Sequence, residues 1–262
     1  MDEWARVRTG VPGFDELVEG GLPNGSNVLL TGIPGTGKTI FALQYLYNGA
    51  KGGECGVYVT LDQKRQDLLD QARKLGWDLE ALERDKKVKI VEVALDLSGI
   101  NIFEMIDVAV KELGAKRLVF DSLVNFAVNL DQFVIPLGFN LSDVDPVYKN
   151  RPLDHKIMYS GKSDQRATYL LINELSKQGT TNLIITAAKQ AGDQLTVDGI
   201  SEFACDCVIV FYNELLGSKR MRTISILKMR DTDHSQYVHD LELGKSGCLV
   251  KPAEKVYQKS TT

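Results

Sequence analysis

The run Gly32-Ile33-Pro34-Gly35-Thr36-Gly37-Lys38-Thr39 sets glycines, a lysine and a hydroxyl residue in the order G-x-x-x-x-G-K-[ST]. Glycine has no Cβ, so this backbone can take positive φ and turn successive N–H groups inward onto an anion. An apolar stretch, residues 27–32 (NVLLTG), precedes the run, and a helical pattern follows from Lys38. A helix beginning there adds its positive dipole end at the same point. Lys38 supplies a charge that reaches terminal phosphates, and the Thr39 hydroxyl can ligate a divalent cation. Strand, glycine loop and helix in this order specify a polyphosphate cradle. Its contact residues are Gly32, Pro34, Gly35, Thr36, Gly37, Lys38, Thr39 and Ile40.

Such a cradle needs a carboxylate at the end of another strand. Residues 117–121 (RLVFD) deliver Asp121 there, in the Walker B arrangement. Thr39 and Asp121 are therefore the candidate Mg²⁺ ligands. A second pair of charges lies far downstream. Residues 221–230 read as a strand, so Lys228 and Arg230, two apart, project from one side. Two cations on one face suit a phosphate clamp; the alternative is a solvated strand face.

The elements that must hold these groups alternate. Apolar, β-rich runs at 27–32, 56–61, 88–94, 117–121 and 182–187 are separated by helical patterns at 38–50, around 68–75, at 102–113 and at 166–178. This alternation predicts a mostly parallel sheet covered by helices on both faces, an α/β fold. Short β runs at 206–212, 221–229, 236–243 and 247–251 follow without helices and predict an antiparallel extension of that sheet. Residues 127–165 break the rhythm with Pro136, Pro146 and Pro152 and read as an inserted loop. A connection of that length is either a tolerated surface insertion or a surface for a protein partner.

The chain has 262 residues and reads as one continuous series, hence a single domain over 1–262. At 44% apolar and 25% charged it is not a disordered chain. It has no apolar run near the roughly 20 residues that span a bilayer, and MDEWARVRTG lacks the apolar core of a secretory signal. A cytoplasmic protein without membrane contact is expected. The net charge of −4 counts against a general nucleic-acid binder, though not against a local basic patch. Cys55, Cys205, Cys207 and Cys248 form no zinc spacing and read as buried thiols, Cys205 and Cys207 sharing one strand face.

Read together, several segments resemble the KaiC-like branch of the RecA-type ATPases, in its short single-copy archaeal form. They are Thr9-Gly10-Val11-Pro12-Gly13-Phe14-Asp15-Glu16-Leu17, Gly20-Gly21-Leu22-Pro23-Asn24-Gly25, the phosphate loop, Tyr58-Val59-Thr60-Leu61, Leu75-Gly76-Trp77-Asp78-Leu79 and Asp121-Ser122. Glu202-Phe203-Ala204-Cys205-Asp206 and Lys228-Met229-Arg230-Asp231-Thr232-Asp233-His234 complete the series. The resemblance implies a RecA-type P-loop core, ATP with Mg²⁺, and a homo-oligomeric ring, usually hexameric, with ATP held between neighbours. It also implies that Lys228 and Arg230 reach the γ-phosphate on the adjacent subunit, with His234 near that nucleotide.

The chain departs from the family pattern in three places. The catalytic pair of glutamates after the second strand is replaced by Asp62-Gln63. Asp62 keeps a carboxylate one methylene shorter; Gln63 can orient water but cannot take its proton. After strand 182–187, where relatives carry a polar γ-phosphate sensor, stand Ala187-Ala188-Lys189-Gln190, of which Lys189 or Gln190 could substitute. The third departure is the 127–165 insertion. The reading is a slow Mg²⁺-dependent ATPase acting as a ring-forming switch, with Lys38, Asp62, Gln63, Lys228 and Arg230 as catalytic residues. The alternatives are a non-hydrolysing nucleotide-binding scaffold and a DNA-binding RecA or RadA paralogue regulating recombination or repair. Autophosphorylation has no specific site to support it.

Overall fold

The computed structural model describes residues 5–95, 99–134, 162–189 and 195–253. In chain order, β1 (Arg6–Val7) and β2 (Leu22–Pro23) flank a 3₁₀ turn, Asp15–Val18, and pair antiparallel as a small ribbon. Then come β3 (Asn27–Gly32), α1 (Lys38–Lys51), β4 (Gly56–Thr60), α2 (Arg65–Lys74), α3 (Leu79–Arg84), β5 (Val88–Glu92), α4 (Ile102–Leu113) and β6 (Arg117–Asp121). After these follow α5 (Leu123–Val128), α6 (Lys162–Ser176), β7 (Thr181–Ile185), α7 (Ser201–Ala204), β8 (Cys207–Leu216), β9 (Lys219–Met229), β10 (His239–Gly244) and β11 (Gly247–Lys251).

The main sheet has nine strands in the order β11-β10-β9-β8-β3-β7-β6-β4-β5. The six from β8 to β5 are parallel, and β9, β10 and β11 extend the β8 edge antiparallel. Every residue of β3, β4, β6 and β7 is buried, as a parallel sheet with helices on both faces requires. Alternate residues feed two apolar cores. Val28, Leu30, Tyr58, Val119 and Leu183 face the core shared with α1, α2 and α3. Leu29, Val57, Val59, Leu118, Phe120 and Ile184 face the core shared with α4, α5 and α6. Phe41 of α1 meets Phe14 and Phe211 edge-on, at ring separations of 5.1 and 5.6 Å, which ties the helix after the phosphate loop to β8.

Four differences from the sequence reading have physical causes. The helix around 68–75 is followed by a second one, α3, started by Asp78, whose side chain accepts from the Ala81 N–H. The helix expected at 166–178 begins at Lys162 and ends at Ser176. The insertion expected at 127–165 is narrower. Phe126 and Phe133 pack together with ring centroids 5.1 Å apart, Ile100 bridges to Phe133, and these anchor the segment to the core up to residue 134. The prolines of that segment lie outside the described residues. Finally, Cys205 and Cys207 do not share a face. Cys205 ends α7 and enters the α4–α6 core, whereas Cys207 begins β8 and faces the α1 side. All four cysteines are free thiols, and burial pushes those of Cys207 and Cys248 up to about 12.

Candidate functional site

The loop between β3 and α1 is shaped by its glycines. Gly37 sits at φ 104°, and a Cβ there would lie 2.9 Å from Leu243 of β10. Gly32 is closed off differently, since its Cβ would strike the Phe211 carbonyl oxygen of β8 at 2.3 Å. The loop opens into a cavity of about 450 Å³. Pro34, Gly35, Thr36, Gly37, Lys38, Thr39 and Ile40 line it, as do Asp62, Gln63 and Asp121. Gly32 stands at its base, at the end of β3. The structure thus brings the predicted phosphate contacts, cation ligands and replaced acid pair to one place.

Lys38 folds back over the loop, donating to the carbonyls of Gly32 (2.6 Å) and Ile33 (3.1 Å). Burial lowers its pKa to about 8, against the opposing pull of Asp121 and Asp62. Asp121, at the end of β6, is 2% exposed. Its Oδ2 accepts from the Tyr58 hydroxyl at 2.7 Å and from the Thr39 hydroxyl at 3.3 Å. Burial raises the Asp121 carboxyl to about 6; the Tyr58 hydrogen bond opposes this and the Asp62 charge adds to it. A hydroxyl beside a carboxylate strained by desolvation is a hard oxygen set that fits Mg²⁺.

Asp62 and Gln63 follow β4 in a turn closed by Thr60, whose hydroxyl donates to the Gln63 carbonyl and accepts from the Gln63 N–H. The exposed Asp62 carboxylate accepts from Asn125 Nδ2 at 2.9 Å. The side-chain amides of Gln63 and Gln71 hydrogen-bond to each other at 2.6 Å, and both residues line the cavity.

Lys228, Arg230 and His234 are elsewhere. Met229 pairs with Cys207, and Cys207 pairs with Val28 at the start of β3, whereas the phosphate loop leaves the other end of β3. The four steps from Val28 to Gly32 span about 13 Å, beyond the length of either cationic side chain. Lys228 Nζ donates to the carbonyls of Cys205 (2.6 Å), Glu202 (3.3 Å) and Phe203 (3.4 Å) at the end of α7. Arg230 pairs with Asp206 at 3.0 Å, and half-buried His234 contacts Gln236 and the Ser235 carbonyl. A shift in register at Val208/Ile209 sets Lys228 opposite Val208, and Arg230 lies one residue past the strand end.

Four further residues at the cavity escaped the sequence reading. Thr186, just past β7, lines the cavity, is 1% exposed, and its hydroxyl has no hydrogen-bond partner among the described residues. It stands one residue before Ala187-Ala188-Lys189-Gln190; Lys189 is exposed and Gln190 lies outside the described residues. Asn125 and Gln71 also line the cavity, and Arg222 of β9 donates to the Gly35 carbonyl at 3.0 Å. A polar residue at the end of a strand would have flagged Thr186; nothing local marks the other three.

A parallel sheet with antiparallel extension, a phosphate loop after β3 and an acid on β6 define a RecA-type P-loop ATPase fold. The family model for the KaiC ATPase matches residues 7–135 and 158–255, and the chain belongs to that family. It is 30% identical over 269 residues to the circadian clock oscillator protein KaiC of Synechococcus elongatus, covering 98% of this chain and 46% of that protein. It is likewise 30% identical over 271 residues to the KaiC of Parasynechococcus marenigrum, covering 98% of this chain and 47% of that protein. The chain thus spans less than half the length of these curated relatives. The crystal structure of a KaiC-like protein from the archaeon Pyrococcus horikoshii superposes with a TM-score of 0.75 at 35% identity, covering 95% of this chain and all of that one. Among the described residues no helix is long and apolar enough to cross a membrane.

Proposed function

We propose that residues 1–262 form one Mg²⁺-dependent ATPase domain that hydrolyses ATP slowly and assembles head to tail with copies of itself, in a ring, as a nucleotide-driven switch. The observation that carries the ATPase reading is the convergence of Lys38, Thr39, Asp121, Asp62 and Gln63 on one cavity. The loop N–H groups and Lys38 bind the β- and γ-phosphates. Thr39 and Asp121 hold Mg²⁺, which neutralises charge on the phosphates when bound. Asp62 accepts the proton of the attacking water while the Gln63 amide orients it. The water oxygen bonds to the γ-phosphorus, and the bridging bond breaks with its electron pair left on ADP. A carboxylate one methylene short of glutamate has less reach toward the reacting phosphorus, which accounts for slow turnover.

Self-assembly is supported by position. Lys228 and Arg230 lie beyond reach of their own phosphate loop, so a phosphate they clamp belongs to another copy. His234 would then lie near that nucleotide. A cytoplasmic location accords with the free thiols.

Phosphate release from ATP and Mg²⁺ tests the reading, with Lys38→Ala as the control. Turnover abolished by the substitution is expected. ATP binding with no turnover in the unmodified chain would instead make it a nucleotide-binding scaffold, a reading motivated by the neutral Gln63.

A further inference from the structure

We propose that Asn125 is a positioning residue that fixes the Asp62 carboxylate for activation of the attacking water. The inference rests on Asp62 being the base in the proposed reaction, and it explains how an acid one methylene short can serve. Asn125 lies on α5, the helix that leaves Asp121 after a single residue, Ser122. Its neighbours Leu123 and Phe126 are buried, and Phe126 meets Phe120 of β6 edge-on at 6.1 Å. The helix is thereby locked to the strand that carries Asp121, and Asn125 lines the cavity from that side.

From the other side, the Asp62 backbone is held by the Thr60–Gln63 turn and by the bond from the Leu61 N–H to the Asp121 carbonyl, 2.6 Å. Between these two fixed backbones runs the 2.9 Å bond from Asn125 Nδ2 to Asp62 Oδ1. Only the amide nitrogen can face a carboxylate oxygen, because the amide oxygen would repel it. One carboxylate oxygen is thus committed to Asn125 and the other is left for the water. When that water attacks the γ-phosphorus its proton passes to the uncommitted oxygen, ADP leaves with the bridging electron pair, and the proton is returned to solvent. Asn125 touches neither nucleotide nor water in this scheme. Its contribution is the rotamer of Asp62, which as an exposed side chain would otherwise sample several.

The test is steady-state phosphate release by the full chain carrying Asn125→Ala, Asp62→Asn or both, with binding of a fluorescent ATP analogue as the measure of an intact site. Losing one hydrogen bond to a charged group at an exposed position lowers kcat about tenfold and leaves KM and analogue binding unchanged. The double variant is expected to match Asp62→Asn alone, since there is no carboxylate left to position. Asn125→Ser, which retains a shorter donor, should fall between wild type and Asn125→Ala. Unchanged kcat in Asn125→Ala beside a loss in Asp62→Asn overturns the positioning role and leaves the base assignment standing. A further loss in the double variant also overturns it, because Asn125 then acts on something other than Asp62. Unchanged kcat in Asp62→Asn removes the base assignment and this inference together.

Discussion

Replacing Asp121 by Asn should make the nucleotide-free protein more stable and inactive. The side chain is 2% exposed, and its carboxyl is raised from 3.8 to about 6, mainly by burial. Between those values the folded protein binds a proton that the unfolded chain has lost. Stability therefore falls as pH rises through this window, and above it the full cost of the buried charge is present. A shift of about two units corresponds to roughly 3 kcal/mol at pH 7.5, and the same relation leaves about half of that at pH 5. An amide carries no charge and keeps an acceptor for the Tyr58 and Thr39 hydroxyls, while its other edge faces the cavity. For a chain of 262 residues, 3 kcal/mol is worth about 5 °C in Tm. Thermal unfolding in EDTA at pH 7.5 and pH 5 measures this directly. Equal or lower stability of Asp121→Asn at pH 7.5 would refute the argument, as would a gain that does not shrink at pH 5.

Other outcomes follow from the same geometry. At pH 8 Lys38 is about half protonated in the empty site, and a bound phosphate raises its pKa, so ATP binding should take up roughly half a proton. Calorimetry without Mg²⁺ in two buffers of different ionisation enthalpy reads this, and the Lys38 share of the uptake should vanish near pH 6.5. Thr186→Val removes the unpartnered hydroxyl while keeping its shape, which should stabilise the empty protein slightly and lower kcat several-fold if the hydroxyl meets water or phosphate during turnover. Unchanged kinetics would mark Thr186 as a bystander. Arg230→Ala should leave nucleotide affinity nearly intact and reduce kcat by about 10³ or more, the scale of a finger contributed from outside the site. Normal turnover in that variant would exclude the intersubunit role.

The parts of the fold written in local pattern were legible beforehand. The bounds of β3, α4, β6 and β11 coincide with the apolar periodicity and the Gly and Asp punctuation around them. The phosphate loop and Asp121 were legible for the same reason, since the chemistry of each is carried by consecutive residues. What escaped is what only the folded chain brings together. Asn125 and Asp62 are 63 positions apart and meet because β4 and β6 are adjacent. Gln71 reaches Gln63 across the turn into α2, and Arg222 reaches Gly35 from 187 positions away. Cys205 and Cys207 take different faces because Cys205 only caps the short α7 and β8 starts two residues later, so the strand alternation that would pair them has not yet begun.

The ion pair of Arg230 with Asp206 has a consequence for timing. Asp206 also accepts from the Asn27 N–H at the head of β3, so the carboxylate is a fixed berth. The guanidinium moored to it is 58% exposed, and exposed pairs of this kind hold by no more than about 1 kcal/mol. At that strength about one molecule in six has the arginine adrift at any instant. In the proposed ring, departure would then need no trigger: a neighbour's phosphate would capture an arm that already samples open water, and once the phosphate left, the arm would drift back to its mooring.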